Sequence, residues 1–199
     1  MTNQISINKI VKPLVEKLVE NTDQLNLGVL TTAGGGKIID AGINYHGCLE
    51  SGRIITEICM GGLGTVSLSM TNNAPNWPLS VHVHSSNPVL SCLASQYAGW
   101  NLSFVKDEDN FNALGSGPCR ALACKEDLFK DLNYSDKFFS TVVVMEVDRT
   151  PPQEIIDKIT SDCNVSEKNL TIILTPTKSL SGCVQVAGRV LEVGMHKVH

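Results

Sequence analysis

The sequence predicts an α/β protein of layered helices and strands divided into two subdomains. Three observations predict it. From Asn101 onward strand-like and helix-like segments alternate, the pattern of a sheet covered by helices. Before that, TVSLSM and LSVHVH alternate apolar and polar residues as half-buried strands do. With 199 residues, 42% of them hydrophobic and 18% charged, the chain can bury a sizeable core and is not a disordered one.

Taken in order, SINKIVKPLVEKLVEN repeats Ile7, Ile10, Val11, Leu14, Val15 and Leu18 at helical spacing. Ser6 is placed to cap it, and Pro13 predicts a kink or a restart. LGVLTTAGGGKIIDAGI reads as two short strands around a triple glycine, and CLESGRIITEICMGG as a helix ended by Gly61 and Gly62. TNNAPNWP is a turn between the two alternating strands. NPVLSCLASQYAGW opens with Asn87 as cap and Pro88 at the first helical position, and runs to Gly99. After strand-like NLSFV, the charged KDEDN is the softest boundary and divides a subdomain over 1–106 from one over 107–199. The strands FSTVVVMEV and NLTIIL, the helix PPQEIIDKITSDC and a final helix follow.

The net charge of −4 leaves no electrostatic footprint for nucleic acid, and no Lys/Arg run suggests a membrane surface. No apolar run reaches the roughly 18 residues needed to span a bilayer. The polar start MTNQISINK lacks a signal-peptide core, so a cytoplasmic protein is expected. Seven cysteines, an odd number with no CxxC pair, favour reduced and mostly buried thiols over disulfides.

Four stretches carry chemistry. GSGPCR sets Ser116, Gly117 and Arg120 where backbone N–H groups, a hydroxyl and a guanidinium can receive an anion or a polar ring edge. An ordinary tight turn into a helix has the same composition. SQYAGW gathers Gln96, Tyr97 and Trp100, suited to a flat heterocycle and equally to a helix end packed into the core. His82 and His84 share a strand face, a spacing metal sites use, though a solvated face is the commoner reading and no third ligand is evident.

The last stretch is the closing one, VQVAGRVLEVGMHKVH. As one helix it places Gln185, Arg189, Glu192 and His196 at i, i+4, i+7 and i+11, a polar stripe on an apolar rod. Gly182, Ala187, Gly188 and Gly194 leave it little side chain at about 1 kcal/mol of helix propensity per glycine, so close packing is expected there. Arg189 beside Glu192 favours the ionised carboxylate while burial opposes it. The pair reads either as a structural ion pair or as a carboxylate that activates water.

ITEICMGGLG, NPVLSCLASQYAGW, ALGSGPCRAL and SLSGCVQVAGRVLEVGMHK together resemble the methenyltetrahydromethanopterin cyclohydrolases, from about Ser6 to the last residue. The resemblance implies a two-subdomain cyclohydrolase-like subunit, commonly assembled as a homo-trimer, with a pterin one-carbon carrier in an interdomain cleft. It implies hydrolysis of the methenyl bridge to the formyl form without metal or redox cofactor. Through GRxxExGMHK it gives Glu192 and Arg189 as catalytic residues. Gln96, Tyr97, Ser116, Gly117 and His196 are the implied substrate contacts. Family members continue well beyond the last motif, so the second subdomain is expected to be incomplete here. The alternatives are a non-catalytic pterin-binding or assembly fragment, and a metal hydrolase built on His82 and His84.

Overall fold

The computed structural model describes residues 4–71, 76, 78–106 and 109–199. The expected turn over 71–78 falls largely outside them, as do residues 107 and 108 of the charged segment KDEDN. Helix α1 (Ile7–Glu20) is capped by Ser6, whose hydroxyl accepts from the Lys9 N–H at 3.2 Å, and it runs through Pro13 without a restart. It buries Ile7, Val11 and Leu18. The short α2 (Thr22–Leu25) leads into the hairpin of β1 (Gly28–Thr31) and β2 (Lys37–Asp40). Helix α3 (Leu49–Cys59) follows, then the hairpin of β3 (Gly64–Met70) and β4 (Leu79–Ser85).

A π-helix, Val89–Gln96, precedes a third hairpin, β5 (Trp100–Lys106) with β6 (Asp109–Ser116). Next come α4 (Cys119–Ala123), α5 (Leu128–Leu132), β7 (Thr141–Met145), α6 (Gln153–Cys163) and β8 (Leu170–Leu174). Helices α7 (Leu180–Ala187) and α8 (Val190–Val198) close the chain.

The main sheet has the order β1-β2-β8-β7-β6-β5. Its centre, β2, β8 and β7, is parallel; β1 and the β6–β5 hairpin flank it antiparallel. Strands β7 and β8 are buried on both faces, which is why TVVVM and LTIIL are unbroken apolar runs rather than alternating ones. Val143 and Met145 face one layer with Ile155, Ile159 and Trp100; Val142 and Val144 face the other with Val11, Ile54 and Ile58. Burying each such side chain contributes about 1.5–3 kcal/mol before the entropy of ordering is counted.

The position 106/107 lies between β5 and β6, which pair as an antiparallel hairpin, and strands from both sides of it share the main sheet. The final helix differs from the expected one: it is two helices broken at Gly188 and Arg189.

Close approach organises this end. A Cβ on Gly52 of α3 would lie 2.7 Å from the Val184 Cβ and 2.8 Å from the Ser181 carbonyl oxygen of α7, and one on Gly188 would lie 2.4 Å from the Thr56 methyl. Gly194 by contrast faces open space, so the packing reason expected for the glycines of this stretch does not extend to it. Among the described residues no helix is long and apolar enough to cross a membrane. The seven cysteines are free thiols, four of them buried.

Candidate active site

The carboxyl ends of parallel strands and the loops beyond them are where an open α/β sheet leaves a crevice. Here β7 ends at Met145 and hands on to Glu146, β8 ends at Leu174 and hands on to Thr175, and β2 ends at Asp40. Burial pushes the Asp40 carboxyl up, but the N–H groups of Gly42, Ile43 and Asn44 (2.7–3.0 Å) and the Asn44 amide hold it below its ordinary value. That carboxylate fixes the loop after β2, to which Ser181 at the start of α7 also bonds through Ala41.

The break between α7 and α8 brings three ionic groups together at this end of the sheet. Glu192, in the first turn of α8, is only 3% exposed and accepts from the Arg189 guanidinium at 2.9 Å. Arg189 also lies 3.5 Å from Glu146, so one cation bridges two carboxylates. Cys59 at the end of α3 lies within the influence of Arg189 and Glu146. Burial pushes its thiol up to about 11, against the pull of the guanidinium, so it is a neutral thiol at physiological pH.

The π-helix packs against α8 and supplies the other side. Its wide turn is closed by the Tyr97 N–H donating to the Cys92 carbonyl at 2.8 Å. Side chains from β6 and α4 pin its last turn. The Ser116 hydroxyl donates to the Gln96 carbonyl at 2.6 Å, and the Gly117 N–H to that of Ser95 at 2.8 Å, with Gly117 at a φ of 99°.

Arg120 has no exposed surface. It donates to the carbonyls of Leu93 (2.8 Å) and Ser95 (3.2 Å) and pairs with Glu126 at 2.6 Å. Its guanidinium also lies 5.1 Å from the Tyr97 ring centroid. The GSGPCR turn thus spends its donors on the protein's own backbone carbonyls and on the Glu126 carboxylate. That corrects the reading of Arg120 as an anion receiver; Ser116 and Gly117 hold Gln96 and Tyr97 in place.

Four buried side-chain polar atoms lack a partner among the described residues: the Ser95 hydroxyl, the Thr175 hydroxyl and the amide oxygens of Gln96 and Gln185. Leaving such a group unpaired costs about 1–3 kcal/mol. Two of them adjoin the α7–α8 break. Gln96 donates its amide N–H to Gly188 at 3.2 Å, and Gln185 one turn before Arg189 reaches the Cys59 sulfur at 3.7 Å. An acceptor-rich, water-poor environment around one carboxylate is what an orienting site for a small polar reactant requires.

Of the predicted residues, the structure brings Glu192, Arg189, Gln96, Tyr97 and His196 together. The exposed His196 stacks on Tyr97 with ring centroids 4.2 Å apart. Trp100 goes elsewhere, into the core beside Leu102 and Phe111. His82 and His84 lie exposed on one face of β4, His82 bonded to the Ser69 hydroxyl at 2.7 Å. Among the described residues no cluster of three potential metal ligands forms. The sequence reading missed Glu146, although a polar residue directly after a fully buried parallel strand is a signal for it.

Fold and site together define an α/β protein with a buried Glu–Arg pair at the carboxyl end of a parallel sheet. Residues 6–199 match the family model described as Cyclohydrolase (MCH), and the chain belongs to that family. Three relatives are called methenyltetrahydromethanopterin cyclohydrolase. That of Methylobacillus flagellatus is 54% identical over 194 residues, 98% of this chain and 58% of its own length. That of Methylobacterium organophilum is 46% identical over 98% of this chain and 60% of its own. That of Methanosarcina mazei is 36% identical over 97% and 59% respectively. The chain therefore spans about three fifths of the length of these relatives.

Proposed function

We propose that this chain carries the catalytic part of a methenyltetrahydromethanopterin cyclohydrolase. The observation that carries the reading is the Arg189–Glu192 pair, 2.9 Å apart and nearly free of solvent, within a chain that matches the family throughout.

The methenyl bridge of the carrier is an amidinium-like cation, already electrophilic at carbon, so the protein need only hold water, accept a proton and orient the groups. The water oxygen bonds to the bridge carbon while Glu192 takes one proton. One ring C–N bond then opens, its nitrogen taking a proton, and the formyl group stays on the other nitrogen. The balance is cation plus water giving a neutral formyl carrier and one proton.

Arg189 fixes the Glu192 carboxylate, Gln96 offers its unpaired amide oxygen, and the stacked Tyr97 and His196 form a flat wall for the carrier. Ser116 and Gly117 act by holding that wall. Catalysis by these groups calls for no added metal or redox cofactor. A cytoplasmic homo-oligomer, a trimer by family resemblance, belongs to the same reading.

A second reading, a pterin-binding or assembly fragment without turnover, is favoured by one observation. Leu180, Val186, Val190, Val193 and Val198 are 40–80% exposed along α7 and α8, an apolar stripe suited to contact with other chain. The test is the loss of methenyl-carrier absorbance over the spontaneous rate. Glu192→Gln should lower the catalysed rate about 10²–10⁴-fold while carrier binding persists. Equal rates in the two proteins refute the role of Glu192, and binding without acceleration by the unaltered chain selects the second reading.

A further inference from the structure

The opposite end of the main sheet holds a second recess. It lies under α1 at the amino ends of β2, β7 and β8, has a volume of about 230 Å³, and is lined by Lys12, Glu16, Lys37, Phe139, Lys168 and Thr171 among others. Lys37 pairs with Thr171 and Thr171 with Val142 in the register of β2, β8 and β7, so the three form one row across the sheet. Two residues further along the same face are Ile39 and Ile173, both without exposed surface. The apolar core of this face therefore stops one step short of the strand starts, where KIID and LTIIL place a lysine and a threonine instead of isoleucine.

Thr171 is the informative residue. It is 9% exposed and lines the recess, and its hydroxyl has no hydrogen-bond partner among the described residues. Thr141 nearby is satisfied, its hydroxyl donating to the Asn8 side-chain oxygen at 2.6 Å.

The charges around the recess separate into paired and unpaired groups. Lys12 pairs with Glu16 at 3.7 Å, and those two cancel. Asp136, behind Asn8, accepts from the N–H groups of Asn8 and Lys137 and from the Asn8 amide at 2.7–2.9 Å. Glu167 accepts from the Gly34 N–H at 2.9 Å and from the Gln153 amide at 3.2 Å. Lys37 and Lys168 make no ion pair among the described residues. Phe139 is 58% exposed at the rim, with the Lys12 ammonium 5.7 Å from its ring centroid.

Two ammonium groups without a counter-ion and a buried hydroxyl without a partner suit a dianion rich in acceptor oxygens. A phosphate monoester carries about −1.5 to −2 charges at pH 7 and offers three such oxygens, and lysine meets phosphate as a point charge. A carboxylate brings one charge to two lysines. The Phe139 ring gives the organic part of the ester a flat surface to rest on.

We propose that this recess is a second binding site, one that takes a phosphate monoester with a flat apolar body, its oxygens held by Lys37, Lys168 and the Thr171 hydroxyl and its body against Phe139. Four residues of β8 separate Thr171 from Thr175, so at about 3.3 Å per residue the recess lies roughly 13 Å from the carboxyl end of the sheet. None of the residues gathered around Glu192 lines it, and the inference does not depend on the cyclohydrolase reading.

The test is equilibrium dialysis of the chain against phenyl phosphate at low ionic strength, with inorganic phosphate and phenylacetate as comparators. Phenyl phosphate should be held more tightly than either. Lys37→Gln and Lys168→Gln, both at exposed side chains, should each weaken it on the order of five-fold or more, the size of one charge acting through water. Thr171→Val, which keeps the side-chain shape, should weaken it about two- to ten-fold, the size of one hydrogen bond. Phe139→Ala should narrow the preference over inorganic phosphate, and added salt should weaken binding of both.

No retention of phenyl phosphate at millimolar concentration overturns the proposal. So does retention that survives Lys37→Gln and Lys168→Gln combined, or that is lost in Glu192→Gln, since either result moves the anion to another place. Phenylacetate held as tightly as phenyl phosphate overturns the phosphate assignment, and inorganic phosphate held as tightly overturns the part given to Phe139.

Discussion

Replacing Arg120 by lysine tests the scaffold beneath the site. The guanidinium makes three kinds of contact from a position with no exposed surface. It forms a two-point pair with Glu126 (2.6 and 2.9 Å), bonds to the carbonyls of Leu93 (2.8 Å) and Ser95 (3.2 Å), and lies over the rings of Tyr97 and Phe129. An ammonium can keep one contact with Glu126 and at most one carbonyl, since it lacks the planar fork. At least one buried carbonyl is then orphaned at about 1–3 kcal/mol, and the second Glu126 contact is lost at about 1 kcal/mol more. The expected loss is about 2–4 kcal/mol, or a fall in Tm of roughly 5–15 °C for a chain of this size.

Because the lost carbonyl bonds hold the last turn of the π-helix, Gln96 and Tyr97 should shift, and activity should fall more than the folded fraction does at the same temperature. Thermal unfolding by circular dichroism, with the absorbance assay run well below the transition, reads both. A Tm within 2 °C of the parent would refute the accounting. It would mean that the π-helix is held by Ser116 and Gly117 alone.

Other outcomes follow from the same structure. Gly52→Ala gains about 1 kcal/mol of helix propensity but forces α7 away from α3 at about 1–3 kcal/mol or more, so it should lower Tm. Gly194→Ala, with open space at its Cβ, should raise Tm by up to about 1 kcal/mol equivalent; the two melting curves moving together would contradict the packing. Asp40 has a folded-state pKa below its unfolded value. Its stabilisation is therefore complete above about pH 3.9 and disappears as pH falls through the lower folded value. Asp40→Asn should then be less stable than the parent in urea at pH 7, with the gap closing as the acidic limit is approached. Light scattering should show association through the α7–α8 stripe, reduced by Val190→Glu together with Val193→Glu; a monodisperse monomer would show that the stripe needs no cover.

Local signals made most of the fold readable. The triple glycine marked the β1–β2 hairpin, Ser6 the start of α1, and the unbroken apolar runs the two-sided burial of β7 and β8. Strand β6 was not readable. Its inward residues, Phe111 and Ala113, alternate with Asn110 and Asn112 and follow a charged segment, so the alternation has the composition of a loop. Nor was the type of the Val89–Gln96 helix. Its wide turn rests on Arg120, Ser116 and Gly117, about 20 to 27 residues further along the chain, and no window of sequence contains both sides of that arrangement.

The polar stripe of the closing segment was legible as a list of residues and not as a geometry. On one straight helix Gln185, Arg189, Glu192 and His196 would share one surroundings. The break at Gly188 gives them three: Gln185 and Glu192 are buried, Arg189 bridges outward to Glu146, and His196 lies exposed against Tyr97.

The break has a physical cause. Thr56 leaves no room for a side chain at residue 188, so glycine is required there, and glycine weakens the helix at that point. The Gly188 carbonyl released by the break accepts from the Gln96 amide N–H, which ties the π-helix to the start of α8. Close packing of α3 on α7 and the placement of the Glu192 carboxylate at the carboxyl end of the sheet are therefore one requirement. A substitution that restored a continuous helix at residue 188 would displace Thr56, release Gln96 and turn Glu192 away from Arg189 together.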